Sequence, residues 1–92
     1  MDITVTIPTL LRPLTENQKE VKTRGKTVAE LIDNLDQRFP GIKNRLMENG
    51  TVHNFINIYV NDNDIRFNKN LNTALNAGDN IIILPAVAGG AR

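Results

Sequence analysis

The residues best suited to chemistry stand at the end of the chain, Pro85-Ala86-Val87-Ala88-Gly89-Gly90, followed by Ala91-Arg92. A run of bulky aliphatics from Ile81 to Leu84 gives way to small side chains and then to none. A glycine loses more conformational freedom on ordering than any other residue, so a packed domain gains little from a pair there. Such a tail can instead thread a narrow channel and present a carboxylate deep inside a partner protein. Residues 85–90 would reach at most ~20 Å when extended. A bulky side chain at Gly89 or Gly90 would block that approach. The plain alternative is a frayed terminus with no role.

The rest of the chain offers little competing chemistry. It has no cysteine, which removes disulfides, thiolate metal sites and thiol nucleophiles. Any sulfur this protein handles must therefore sit somewhere other than on a side-chain thiol. His53 is the only histidine and reads as a solvated loop residue, not as a ligand or a catalytic base. Asp62-Asn63-Asp64 resembles the start of a calcium loop, but the sixth position from Asp62 is Phe67 and the twelfth is Thr73. That loop needs glycine and glutamate there, so a hydrophilic turn is the better reading. Lys19, Lys22, Arg24 and Lys26 form a basic cluster with few aromatics to interleave, which suits a charged edge strand that resists aggregation. No phosphate loop, nucleophile elbow or carboxylate pair appears. The chain is expected to be no enzyme by itself, with no catalytic residues, no metal and no bound cofactor.

These residues need elements to hold them. Ile3, Val5 and Ile7 alternate with polar neighbours, as in a half-buried strand that Pro8 ends. Residues 9–18 read as a long connection with one packed side, and Lys19 to Thr23 as a more exposed strand. Thr27-Val28-Ala29-Glu30 is a capping box in which Thr27 accepts from the amide of Glu30 and Glu30 reaches back to the amide of Thr27. Val28, Leu31, Ile32, Leu35 and Phe39 follow as one apolar stripe, and Pro40-Gly41 stops the helix. Residues 42–48 can form a short second turn with Ile42 and Leu46 inward. Phe55 to Val60 is the clearest strand, with Ile56, Ile58 and Val60 on one face and Phe55, Asn57 and Tyr59 on the other. A turn at Asn61–Asp64, a short strand through 65–67 and a last strand from Asn80 to Leu84 complete the pattern.

One amphipathic helix needs one apolar sheet face to cover it. The element order predicts an α+β chain with the β-grasp, or ubiquitin-like, architecture: a mixed sheet packed on one main helix. Residues 1–84 form that domain and residues 85–92 a flexible C-terminal tail, with Pro85 ending the strand pairing because it has no amide hydrogen. At 92 residues the chain suits one modest core. A net charge of +1 gives no broad electrostatic reason to expect nucleic acid or an acidic membrane. No apolar run approaches the ~20 residues of a membrane span, and the alternating N-terminus does not read as a secretory signal. The cytoplasm is the expected location.

Placed after this element order, the tail resembles the signature end of the ThiS/MoaD family of ubiquitin-like sulfur carriers. Ile7-Pro8-Thr9-Leu10-Leu11-Arg12-Pro13 and Asn57-Ile58-Tyr59-Val60-Asn61-Asp62 look most like its CysO-type branch, which serves cysteine biosynthesis. The resemblance implies an E1-like adenylating enzyme that uses ATP to activate Gly90, which a sulfur donor then converts to a thiocarboxylate. It implies Gly89 as the channel residue, with Pro85, Ala86, Val87 and Ala88 completing the threaded segment. A cysteine-synthase-like acceptor enzyme would use the sulfur to make a Gly90–cysteine adduct, and a zinc metallopeptidase would release cysteine. Phe55, Tyr59, Ile82 and Leu84 are candidates for an apolar face on which partners dock, or for a face the fold itself covers. Ala91-Arg92 departs from the family pattern, because Gly90 then carries a peptide bond in place of a carboxylate. Cleavage between Gly90 and Ala91, by the same kind of metallopeptidase, would release the active end. Molybdopterin or thiazole synthesis is the alternative within the family, and a ubiquitin-like covalent protein modifier the alternative outside it.

Overall fold

The structure, a computed structural model, describes residues 2–86. In chain order these form β1 (Ile3–Thr6), a 3-10 helix (Thr9–Thr15), β2 (Glu20–Thr23), α1 (Val28–Arg38) and α2 (Ile42–Leu46). A small hairpin of β3 (Met47–Glu48) and β4 (Thr51–Val52) follows, then β5 (Ile56–Val60), β6 (Asn63–Asp64), two short 3-10 turns, and β7 (Asn80–Pro85).

Five strands make one mixed sheet in the order β2-β1-β7-β5-β6. β1 and β7 run parallel at its centre, and the other pairs are antiparallel. Period-two alternation sends Val5, Ile58, Ile81 and Ile83 to one face, where they are buried. Val28, Leu31, Ile32 and Leu35 of α1 meet them in the same core, with Phe39 just past the helix end. This is the β-grasp arrangement that the element order predicts. Removing such large aliphatic side chains from water contributes about 1.5–3 kcal/mol each, which is how a small sheet and a single main helix hold together.

The start of α1 shows how local chemistry fixes it. Thr27 Oγ1 accepts from the amide of Glu30 at 3.2 Å, as the capping pattern requires. Glu30 reaches back one residue further than expected: its Oε1 accepts from Lys26 N–H at 2.9 Å, not from Thr27. The backbone around Thr27 bridges to Ala74, with Val28 N–H donating to Thr73 O and Leu75 N–H to Lys26 O, and this sets how the chain approaches the helix.

Other departures from the expected pattern have equally local causes. Residues 65–67 form a 3-10 turn, because Asp64 Oδ1 accepts from the amide of Arg66 and caps it. The short strand is Asn63–Asp64 instead. The connection after β1 is a 3-10 helix that buries Leu11 and Thr15 and leaves Leu10 exposed. The free edge of the sheet carries Lys22 in β2 and Arg24 just past it, both of the basic cluster. Arg38 Nη1 donates to Lys22 O at 2.7 Å and Asn34 Nδ2 to Arg24 O at 2.6 Å, so α1 side chains occupy edge carbonyls that a foreign strand would seek. No helix among the described residues is long and apolar enough to cross a membrane.

Gly25 marks the tightest approach between the β2–α1 loop and the helix. A Cβ placed there would lie 2.6 Å from Leu31 N and 2.8 Å from Leu31 Cα. Both are backbone atoms and cannot swing aside. Gly25→Ala is expected to destabilise the fold by about 1–3 kcal/mol, as overpacking does. A urea unfolding midpoint equal to that of the parent protein would refute the close approach.

Candidate functional site

The candidate site is built around the end of β7. Asn61 N–H donates to Asn80 O and Ala86 N–H to Phe55 O, both at 2.8 Å. These two bonds bracket the β5–β7 ladder and give odd-numbered residues of β5 the hydrogen-bonded positions. Pro85 sits opposite Ile56 at the intervening position, where no amide hydrogen is needed toward β5. The proline therefore does not end the pairing as expected. The sheet runs through Pro85 and makes one further bond at Ala86. Val87, Ala88, Gly89, Gly90 and Ala91, the rest of the expected tail and processing site, lie outside the described residues.

The sheet face turned away from α1 carries three of the four expected docking residues. Tyr59 and Ile82 are direct cross-strand partners, and Leu84 lies opposite Asn57. Leu84 is exposed, while Tyr59 and Ile82 are half-buried. At the outer end of this face Asp64 stands opposite Tyr59. Its carboxylate accepts from Arg66 Nη2 at 2.7 Å and is nearly covered. The guanidinium holds the Asp64 carboxyl below the usual carboxylate range, against the opposing effect of burial, with the Arg66 amide helping. That engagement with Arg66 accounts for Asp64 without a calcium loop, and among the described residues no group of three potential ligands could hold a metal.

Phe55 stands apart from the other three docking residues. It lies with Leu10, Arg45, His53, Pro85 and Ala86 in a groove of about 290 Å³ beside the base of the tail. His53 lies in a loop, as expected from sequence, but is half-buried and engaged, not solvated. Its Nδ1 accepts from Phe55 N–H at 3.2 Å, its ring lies 5.1 Å from the Phe55 ring, and its Nε2 is 3.6 Å from Glu48 Oε1. The histidine thus holds the segment to which Ala86 is bonded. Sequence reasoning missed Leu10 and Arg45. The signal was present in both cases: Leu11 and Leu46 take the buried positions of their turns, so Leu10 and Arg45 must face outward.

The ThiS family model matches residues 5–90. The chain is 50% identical to the sulfur carrier protein CysO of Mycobacterium tuberculosis over 93 residues, covering 98% of this chain and all of that one. Among solved structures, the BexX/CysO complex of Amycolatopsis orientalis contains a chain 50% identical with a TM-score of 0.90, covering 96% of this chain and 99% of that one. The small archaeal modifier protein 1 of Methanosarcina acetivorans matches at 30% identity and a TM-score of 0.82, covering 97% and 96%.

The Asp64–Arg66 pair sets a pH dependence. A carboxyl whose pKa is lowered by folding stabilises the protein above its unfolded pKa, about 4, and loses that contribution as pH falls through the folded value. The stability advantage of the parent protein over Asp64→Asn is expected to shrink as pH drops below about 4. Urea unfolding at a series of pH values checks this. A difference that does not change with pH would remove the ion pair from the account.

Proposed function

The chain belongs to the ThiS family, and from that premise we propose that Gly90 is the working atom carrier of a sulfur carrier protein serving cysteine biosynthesis. The observation that carries the reading is the match at half of all positions along nearly the whole chain to CysO, in a sequence whose Gly89-Gly90 end follows the central strand by a few residues. The protein supplies no catalytic group of its own in this reading. It presents a carboxylate for others to work on.

The chemistry explains why a partner and ATP are needed. A carboxylate is a poor electrophile. Removal of Ala91-Arg92 by a zinc metallopeptidase frees the Gly90 carboxylate. In the E1-like enzyme one carboxylate oxygen attacks the α-phosphorus of ATP, and pyrophosphate leaves. Hydrosulfide, or a sulfur donor equivalent to it, then attacks the acyl carbon. AMP leaves with the original oxygen, a proton is lost, and Gly90 ends as a thiocarboxylate. A cysteine-synthase-like enzyme supplies an activated serine derivative, whose β-carbon bonds to the sulfur as its activated oxygen substituent departs with the electron pair of the C–O bond. Rearrangement gives a Gly90–cysteine amide, and hydrolysis releases cysteine. The absence of cysteine in the chain suits this chemistry, since no thiol competes for the activated end.

Tyr59, Ile82 and Leu84 supply the apolar docking face for these partners, with Phe55 at the tail base. A CysO relative has been crystallised with BexX, which supports protein partners as the setting in which such a carrier acts. The likeness to an archaeal modifier protein keeps a second reading open, in which activated Gly90 is joined to a lysine.

Two outcomes test the proposal. A version ending at Gly90, given ATP, sulfide and its E1-like enzyme, is expected to gain the mass difference of one oxygen replaced by sulfur. Conjugates to lysine with no such gain would favour the modifier. The full chain, incubated with the metallopeptidase, is expected to lose the mass of Ala-Arg. Retention of that mass under active peptidase would overturn the processing step.

A further inference from the structure

The groove beside the tail base points to a more specific contact. Four large apolar side chains are exposed among the described residues: Leu10, Phe55, Phe67 and Leu84. Leu84 belongs to the sheet face described above, whereas Leu10 and Phe55 together line the groove where the chain leaves the sheet. Exposed apolar side chains gathered at one place mark an interaction surface more often than scattered ones do.

Charge narrows the choice of occupant. Arg12 donates to Ile7 O, Arg24 faces Asp2, Arg38 donates to Lys22 O, and Arg66 is paired with Asp64. Among the described residues, Arg45 alone of the arginines makes neither an ion pair nor a side-chain hydrogen bond, and it lines this groove. The volume, about 290 Å³, is at the low end for a small-molecule pocket and suits a protein side chain better than a cofactor. The groove is also braced in advance. Phe55 is held by His53 on one side and by Ala86 on the other, so little ordering remains to oppose binding.

We infer that the activating enzyme which draws in the tail seats an apolar side chain between Leu10 and Phe55 and sets a carboxylate against Arg45. The inference rests on the carrier reading above and adds to it a second contact surface, around the tail base from the sheet face.

Steady-state thiocarboxylate formation tests it, using the chain ended at Gly90 with the E1-like enzyme, ATP and sulfide. Leu10→Ser and Arg45→Glu are each expected to raise the KM for the carrier about tenfold, as loss of a central contact does, with kcat unchanged. The Arg45→Glu effect should shrink at high salt. Arg45→Lys should recover most of the affinity, and Phe67→Ser, an equally apolar loss away from the tail, should match the parent. Circular dichroism melts establish that each variant is folded, and Arg45→Glu decides the matter should Leu10→Ser fail to fold. KM values for Leu10→Ser and Arg45→Glu near that of the parent would overturn the groove and leave the carrier reading standing. A parent chain that gains no sulfur would overturn the carrier reading and this inference with it.

Discussion

The C-terminal exit of this chain depends on the antiparallel ladder between β5 and β7. It gives the chain a rigid place from which to leave the fold. β7 is held on its other side by β1, so the strand that leads into the tail is paired along both edges for part of its length. The α1 stripe then buries the inner face of the same strands, and moving β7 would open the core at Ile81 and Ile83. The last bond of the ladder, from Ala86 to Phe55, carries the pairing one residue past Pro85.

That arrangement divides the labour between two faces. The inner face is apolar and closed. The outer face mixes half-buried Tyr59 and Ile82 with exposed Leu84, and is bounded by the Asp64–Arg66 pair. A carrier that docks on partner proteins needs a surface of this intermediate kind. It must be apolar enough to be recognised, yet modest enough to stay soluble between visits. Along the far edge, Arg38 and Asn34 occupy the carbonyls of Lys22 in β2 and of Arg24 just past it, which discourages strand addition where no partner is wanted.

How much of this could be read from the residues follows from where each constraint acts. The α1 stripe and the alternation in β5 were legible because burial imposes a period on the sequence. Leu84 and Ile82 were placed on the outer face by the same alternation. Residues 65–67 read as a strand because Ile65 and Phe67 alternate, while the deciding interaction is a side-chain cap from Asp64. Pro85 was read as a stop because a missing amide hydrogen matters only at hydrogen-bonded positions, and register is invisible without the partner strand. His53 gave no hint of its contacts with Phe55 and Glu48, because these join a hairpin to the strand that follows it. The tail groove was invisible for the same reason: Leu10, Arg45 and Phe55 come from three separate segments.

The bond at Ala86 also acts as a ruler. Only Val87 to Gly90 lie between that fixed point and the carboxyl carbon of Gly90, and four residues cover at most about 14 Å. Under the proposed function, an enzyme that acts on Gly90 would have to place its reacting atoms within that depth of the surface on which the carrier sits. The same limit would hold for each partner that the proposed function names. Their active sites would then share one dimension, set by a single hydrogen bond in the carrier.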